Sequence, residues 1–492
     1  MDRSQGPPRY IRFNSLSARL DSNQGPPRYK LGALPTELQA DVRSTAQKST
    51  FVFSLNILPA RLLLQAVWQN YTAISVYSQF LFYTVPYRSM FIPTPEEAAR
   101  IKTEFGTPAF VTDAARLRHN AKLILDAFAD FDLKVFYAIK ANYNPHIVRT
   151  LKEAGVYGID AVSPNEVKHA LSIGYQPEEI IYTPSNASNE SMKMVGDLGV
   201  MQNLGSLSEL ERYGQMFPGT KISFRISPEV GAGEFEKVKT GGENTKFGLL
   251  MSDLEQVKSI CRHHDLTPVG IHSHIGSGFY EPGAFRHSVE AVLKVARQFL
   301  SVEFVDFGGG FGVKYRPSET PIDLHAFAEA IKAPIADYEA ETNRKLELRI
   351  EPGKFLVSTS TVLMAEITTV KKKGTVTFVG LNSGFHHLIR PAMYGAYQHV
   401  INASRPEGPM KWVEVVGNVC ETCDVFNGGI DLSDPQEGDV IAILVAGGYG
   451  ASMSSNYNMR GRAAEVLVDG KEMKLTRRHE TYDDITSQFC PL

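Results

Sequence analysis

The sequence predicts an α/β fold, a (β/α)8 barrel followed by a separate β domain. Three observations carry this. From about Pro93, short β-rich runs alternate with amphipathic helical stretches, and there are eight such runs in succession. Six of the eight end in an ionisable or glycine-rich group. After about Phe355 the helical periodicity gives way to strand-like runs joined by turns.

The eight runs are Lys134–Ala141, Gly158–Val162, Glu179–Thr183, Val200–Leu204, Lys221–Ile226, Pro268–His274, Val302–Phe307 and Leu346–Glu351. Helix-like segments such as Pro145–Ala154, Pro164–Ile173, Asp253–His264 and Ala284–Leu300 lie between them. Strand alternating with helix reads as βαβ units and a parallel sheet. Eight units suggest a TIM-like barrel, which typically takes ~250 residues. Lys140, Asp160, Arg225, His274, Gly308, Gly309, Gly310 and Glu351 fall at or just after the C-terminal ends of runs. In such barrels that face holds the active site. A single charged residue there is usually solvated or ion-paired, but six such ends are hard to explain as structure alone.

The later runs are Val362–Val370, Val376–Gly380, Trp412–Val416, Val440–Ala446 and Ala464–Val468. Pro108–Thr112, ahead of the barrel, reads as one more strand of that β domain. The expected organisation is an extension over 1–91, a strand segment over 92–118, the barrel over 119–357, the β domain over 358–480 and a tail over 481–492.

The chain has 492 residues, 43% hydrophobic and 21% charged, which suits a soluble protein with more than one domain. A net charge of −3 gives no reason to expect nucleic acid or an anionic membrane as partner. The four cysteines, Cys261, Cys420, Cys423 and Cys490, do not make a disulfide scaffold and fit a reducing cytoplasm. The extension differs from the rest. Its hexapeptide Gln5–Tyr10 recurs as Gln24–Tyr29, a Pro/Gly-rich composition expected to be partly disordered. The apolar stretch Phe51–Ile92 is interrupted by Asn56, Pro59 and Arg61, so it is not read as a membrane span. Arg3, Arg9, Arg12, Arg19 and Arg28 leave a plastid-like targeting leader open, beside the reading of a dispensable extension.

Each motif has a chemical and a bland reading. In YAIKAN, a lysine ending a buried strand is desolvated, which lowers its pKa and frees Lys140 for reaction with an aldehyde. Equally, Lys140 could snorkel at the barrel rim. In GGGFG, backbone N–H groups of Gly308–Gly310 can approach a phosphate, or form a plain turn. His272 and His274 share a strand face, as a metal pair would, but no carboxylate stands at ligand spacing nearby in sequence. A ring there could instead stack on a flat cofactor. Cys420-Glu421-Thr422-Cys423 reads as two buried cysteines, as a redox or zinc pair without its usual context, or as one working thiol beside an acid.

Taken in order, YAIKAN, HSHIGSG, GGGFG, EPGKF, LIRPAMYGAY, GNVCETCD and AGGYGASMSSNYN resemble the fold-type III pyridoxal-phosphate decarboxylases, over about Thr107–Thr481. The resemblance implies an alanine racemase/ornithine decarboxylase-like architecture, whose barrel binds pyridoxal 5'-phosphate and whose β domain completes the site. It implies that Lys140 is the Schiff-base lysine, with Asp160 among the cofactor-binding residues. His274 would stack on the ring, and Ser277, Gly308, Gly309, Gly310 and Tyr449 would hold the phosphate. Glu351 would pair with the ring nitrogen, with Arg225 nearby. Arg390 and Tyr394 would bind substrate carboxylate, with Tyr449 also at the substrate. Cys420 would donate a proton and Glu421 would receive the distal ammonium, both supplied across a homodimer interface. The family most often has EPGR where this chain has Lys354, which keeps the charge of a phosphate or substrate contact but loses bidentate geometry.

Within the family the motifs are most similar to the branch acting on meso-2,6-diaminopimelate, which yields L-lysine and CO2. Decarboxylases of ornithine, arginine or carboxynorspermidine are the alternative. The diamine branch usually carries Asp after the thiol, where this chain has Glu421. A non-catalytic regulator of the same fold is the alternative from another class.

Overall fold

The computed structural model describes residues 89–228 and 245–490. The expected features of residues 1–88 lie outside the described residues.

Strand β1 (Ala109–Asp113) comes first and pairs elsewhere. The next eight close a barrel of parallel neighbours: β2 (Leu133–Ala138), β3 (Gly158–Ala161), β4 (Ile180–Tyr182), β5 (Met201–Leu204), β6 (Lys221–Arg225), β7 (Thr267–His272), β8 (Phe304–Asp306) and β9 (Glu347–Ile350). Closure comes from β2 pairing β9, with Leu133 opposite Leu348. The predicted barrel is therefore present, and all eight runs became strands, each shorter than read.

Side chains alternate across each strand. On β3, Ile159 and Ala161 join the core beneath the helices, while Asp160 lines the cavity at the barrel mouth. Below it, Phe136, Ile181, Val269 and Phe304 make a small separate cluster. Glycines give these rings their room: a Cβ at Gly270 would stand 2.1 Å from Phe304 Cζ. The Arg349 guanidinium lies 3.5 Å from the Phe304 ring centre.

The helices begin where the sequence supplies caps. Ser163 accepts a hydrogen bond from Glu166 N, Pro164 opens the helix Pro164–Ile173, and Gly174 closes it at φ 104°.

The second sheet contains β10 (Thr361–Lys373), β11 (Val376–Leu381), β12 (Val400–Asn402), β13 (Met410–Val416), β14 (Val425–Ser433), β15 (Val440–Ile443), β16 (Ala464–Asp469) and β17 (Glu472–Arg477). Its order is β14-β13-β11-β10-β1-β16-β17, with β15 pairing both β10 and β12. Strand β1 does join this sheet, parallel to β16 and antiparallel to β10. Three of its strands were not read from sequence. β12 has only three residues, the pairing of β14 with β13 is broken by register shifts, and β17 is a largely polar edge. Met90 and Phe91 are buried in the apolar cluster of this sheet, so the packed chain starts before residue 92. Among the described residues no helix is long and apolar enough to cross a membrane.

Candidate active site at the barrel mouth

Lys140 does not end a strand. It sits in a single 3-10 turn, Ile139–Ala141, just after β2. Its Nζ stands 2.5 Å from Asp160 Oδ2, and Asp160 is fully buried. The expectation of a lowered lysine pKa is thereby corrected. Burial does push the amine down, but the charges of Asp160, Tyr449 and Glu351 together outweigh it and raise the pKa.

Arg225 ends β6 and donates through Nη2 to His274 O at 3.2 Å. Its guanidinium lies 4.9 Å from the Phe247 ring centre. Burial lowers its pKa to about 10 against the pull of Glu351 and Asp160, so it stays a cation at neutral pH. Glu351 follows β9 and is buried. Burial and then the charge of Asp160 raise its pKa to about 8, while Lys140 and Arg225 oppose the shift.

His272 and His274 do not act as a pair. His272 Nε2 is 3.0 Å from Glu351 Oε2, whereas His274 Nδ1 accepts from Gly309 N at 3.2 Å. Contrary to the local sequence reading, carboxylates do stand near His272. Asp306 and Glu351 come from the neighbouring strands β8 and β9, far away in the chain.

The glycine run is needed for packing as well as for any ligand. A Cβ at Gly309 would stand 2.1 Å from Glu351 O, and one at Gly310 would stand 2.1 Å from Gly276 O. Gly308 and Gly310 also hold φ of 68° and 111°, where a side chain is strained. Tyr449 reaches the site from the β domain, its N–H bonded to Ala141 O at 2.9 Å.

These groups surround a cavity of about 480 Å3. Lys140, Asp160, Arg225, His274, Ser277, Gly310, Glu351, Lys354 and Tyr449 line it, and Gly308 and Gly309 form its shoulder beside His274.

The comparisons with known proteins decide the family. The profile described as pyridoxal-dependent decarboxylase, pyridoxal binding domain matches residues 114–358. The diaminopimelate decarboxylase of Methanothermobacter thermautotrophicus is 40% identical, over 79% of this chain and 93% of that protein. That of Escherichia coli is 34% identical, over 80% and 96%. The chain belongs to the diaminopimelate decarboxylase family. A crystal structure of diaminopimelate decarboxylase superposes with a TM-score of 0.74 at 34% identity, covering 80% of this chain and 96% of that one. The M. jannaschii enzyme in complex with L-lysine gives 0.75 at 29%, covering 80% and 95%.

The family cofactor is pyridoxal phosphate, and the cavity fits it. Asp160 Oδ1 is buried without a partner. Ser277 and the bare backbone of Gly310 line the same cavity.

Four residues expected at a diaminopimelate decarboxylase site do not line this cavity. Arg390 is buried and stacks 4.4 Å from the Tyr315 ring centre. With its amide oriented to satisfy both ends, Gln398 donates to Leu444 O and accepts from Arg390 Nη1 at 3.3 Å. Tyr394 ends the same short helix, Arg390–Tyr394. Cys420 and Glu421 are exposed. Cys420 Sγ lies 3.4 Å from Asn458 Nδ2, and Tyr457 donates its hydroxyl to Glu421. The reading of Cys420 and Cys423 as buried cysteines is corrected, since both are exposed free thiols. Their loop is held by Asp424, whose carboxylate accepts from Phe385 N at 2.6 Å and Val419 N at 2.9 Å.

Sequence reasoning missed Thr183, Ser185, Phe247 and Phe355 on the cavity wall and Asp306 behind Glu351. Asp306 could have been found, because it stands two residues before the glycine run on the predicted strand.

Proposed function

We propose that this chain decarboxylates meso-2,6-diaminopimelate to L-lysine and CO2. The observation that carries the reading is the Lys140–Asp160 pair in a cavity with Glu351 and Tyr449, in a chain 40% identical to a diaminopimelate decarboxylase. Bound pyridoxal phosphate supplies the electron sink for the carbanion left when CO2 departs. Lys140 would hold the cofactor, and Asp160 keeps the lysine oriented. His274, fixed by Gly309 N–H, offers a neutral ring face, because burial and the nearby Arg225 push its pKa well down. Gly308, Gly309, Gly310, Ser277 and Tyr449 would hold the phosphate, and the buried Lys354 adds charge on the cavity wall. Glu351 would pair with the ring nitrogen, with Arg225 on the same cavity wall. Arg390 and Tyr394 bind substrate carboxylate. Cys420 delivers a proton to the carbon that lost CO2, and Glu421 receives the distal ammonium.

The working unit is a homodimer. In one chain Cys420 and Glu421 are exposed and absent from the wall around Lys140, so a second copy would bring them. Two-fold symmetry lets each copy give the same patch to the other. The test is reconstitution with pyridoxal phosphate, reduction with borohydride and peptide mapping. A visible band that is bleached on reduction, with the label on the peptide containing Lys140, is expected. A label on another lysine, with full turnover by Lys140→Ala, would overturn the assignment.

A further inference from the structure

Strands β7 and β8 set His272 opposite Asp306 in register, and Glu351 follows directly after β9 beside them. The three are 0%, 0% and 5% exposed, and their ligand-capable atoms lie within 4.8 Å of one another. Such a set must settle which members carry charge, since no water shares the cost.

The geometry settles it. His272 Nε2 faces Glu351 Oε2 at 3.0 Å, and Nδ1 has no partner. Burial holds this ring neutral, with its pKa pushed down to about 4 against the pull of Asp306. Its one proton must then stand on Nε2, because two acceptors at that distance repel. Asp306 Oδ1 accepts from Gly308 N at 2.9 Å. Asp306 Oδ2 and Glu351 Oε1 are both buried without a hydrogen-bond partner. Burial, then the charge of Glu351, push the pKa of Asp306 well above the usual carboxylate range. Glu351 thus receives an N–H from the neutral His272, with the buried Asp306 beside it. The cations Lys140 and Arg225 also attract it, and a flexible glutamate could turn to either.

We propose that His272 is a positioning residue that clamps Glu351 through a neutral N–H donor beside Asp306, so that it meets the ring nitrogen of the cofactor in one orientation. Neutral donors fix direction without cancelling charge, which a protonated histidine would do. The inference rests on the cofactor reading above.

The test is equilibrium binding of pyridoxal phosphate to the cofactor-free chain, compared with an analogue carrying CH in place of the ring nitrogen. His272→Leu is expected to weaken the natural cofactor about 10- to 100-fold, the size of a lost hydrogen bond to a charged group, and to leave the analogue unchanged. His272→Gln, whose amide can mimic Nε2–H, should restore binding to within about 3-fold of the parent, well inside that loss. Should the leucine variant not fold, His272→Asn makes the same test, because its shorter amide does not reach Oε2. Parent-like affinity in the Leu or Asn variant, or an equal loss for both ligands, would overturn the clamp alone. A parent chain that binds neither ligand would overturn the cofactor reading, and the clamp with it.

Discussion

Lys140 Nζ and Asp160 Oδ2 stand 2.5 Å apart, one carried on the turn after β2 and the other on the neighbouring strand β3. The pairing of these two strands, with Ala138 opposite Asp160, puts them there. The pair favours the charged form of the lysine in the cofactor-free chain.

Asp160→Asn should therefore lower the pKa of Lys140, because burial then acts with less opposition. A change of roughly 1 to 3 units is the usual size for one close opposite charge. The measurement is the pH dependence of Lys140 acylation in the cofactor-free protein, read by peptide mass. An unmoved midpoint would show that Asp160 is not what holds the charge.

His387 tests the electrostatics of the β domain. It bonds Ser383 Oγ through Nδ1 at 2.9 Å and Gly461 O through Nε2 at 3.1 Å, an arrangement that suits the neutral ring. Burial pushes its pKa down to about 4. The unfolded chain takes up this proton near its ordinary ~6.5 and the folded chain does not. Stability from His387 is therefore present above that value and lost as pH falls from ~6.5 to about 4. The thermal midpoint should decline over that window, less steeply in His387→Gln. Equal slopes in both proteins would rule out the contribution.

The barrel was legible because its eight strands end in recognisable chemistry and its helices start at real caps, as Ser163 shows. Lys140, Asp160, Arg225, His274 and Glu351 were found in this way. The clamp on Glu351 was not, because His272, Asp306 and Glu351 meet only when β7, β8 and β9 pair. The charge state of Lys140 was misread for the same reason: desolvation is visible from a buried strand, but the carboxylate that outweighs it lies on the next strand. Cys420 and Glu421 were named from resemblance, and among the described residues neither lines the cavity.

That separation gives the third expectation. Inactive Lys140→Ala mixed with inactive Cys420→Ala should recover about a quarter of parental activity. Random pairing makes half the dimers mixed, and each mixed dimer has one intact site of two. No recovery after confirmed subunit exchange would place both residues in the same chain's site.

Met90 and Phe91 set where the chain can be shortened. A chain beginning at Arg88 should keep full activity. One beginning at Pro93 should be less stable, since each lost apolar side chain removes about 1.5–3 kcal/mol of burial. Thermal denaturation of the two chains checks this, and identical midpoints would mean that neither side chain matters to the fold.

The most direct test of the account is CO2 release from meso-diaminopimelate against ornithine, arginine and lysine. The distal ammonium suits Glu421, and the distal carboxylate suits the buried Arg390. Substrates without that carboxylate would forgo the pairing with Arg390, and a polar site can reject such analogues by ~10⁴-fold or more. Turnover of diaminopimelate to L-lysine, with negligible turnover of the other three, is the expected result. Comparable kcat/KM for ornithine and diaminopimelate would contradict the account and make the chain a diamine decarboxylase.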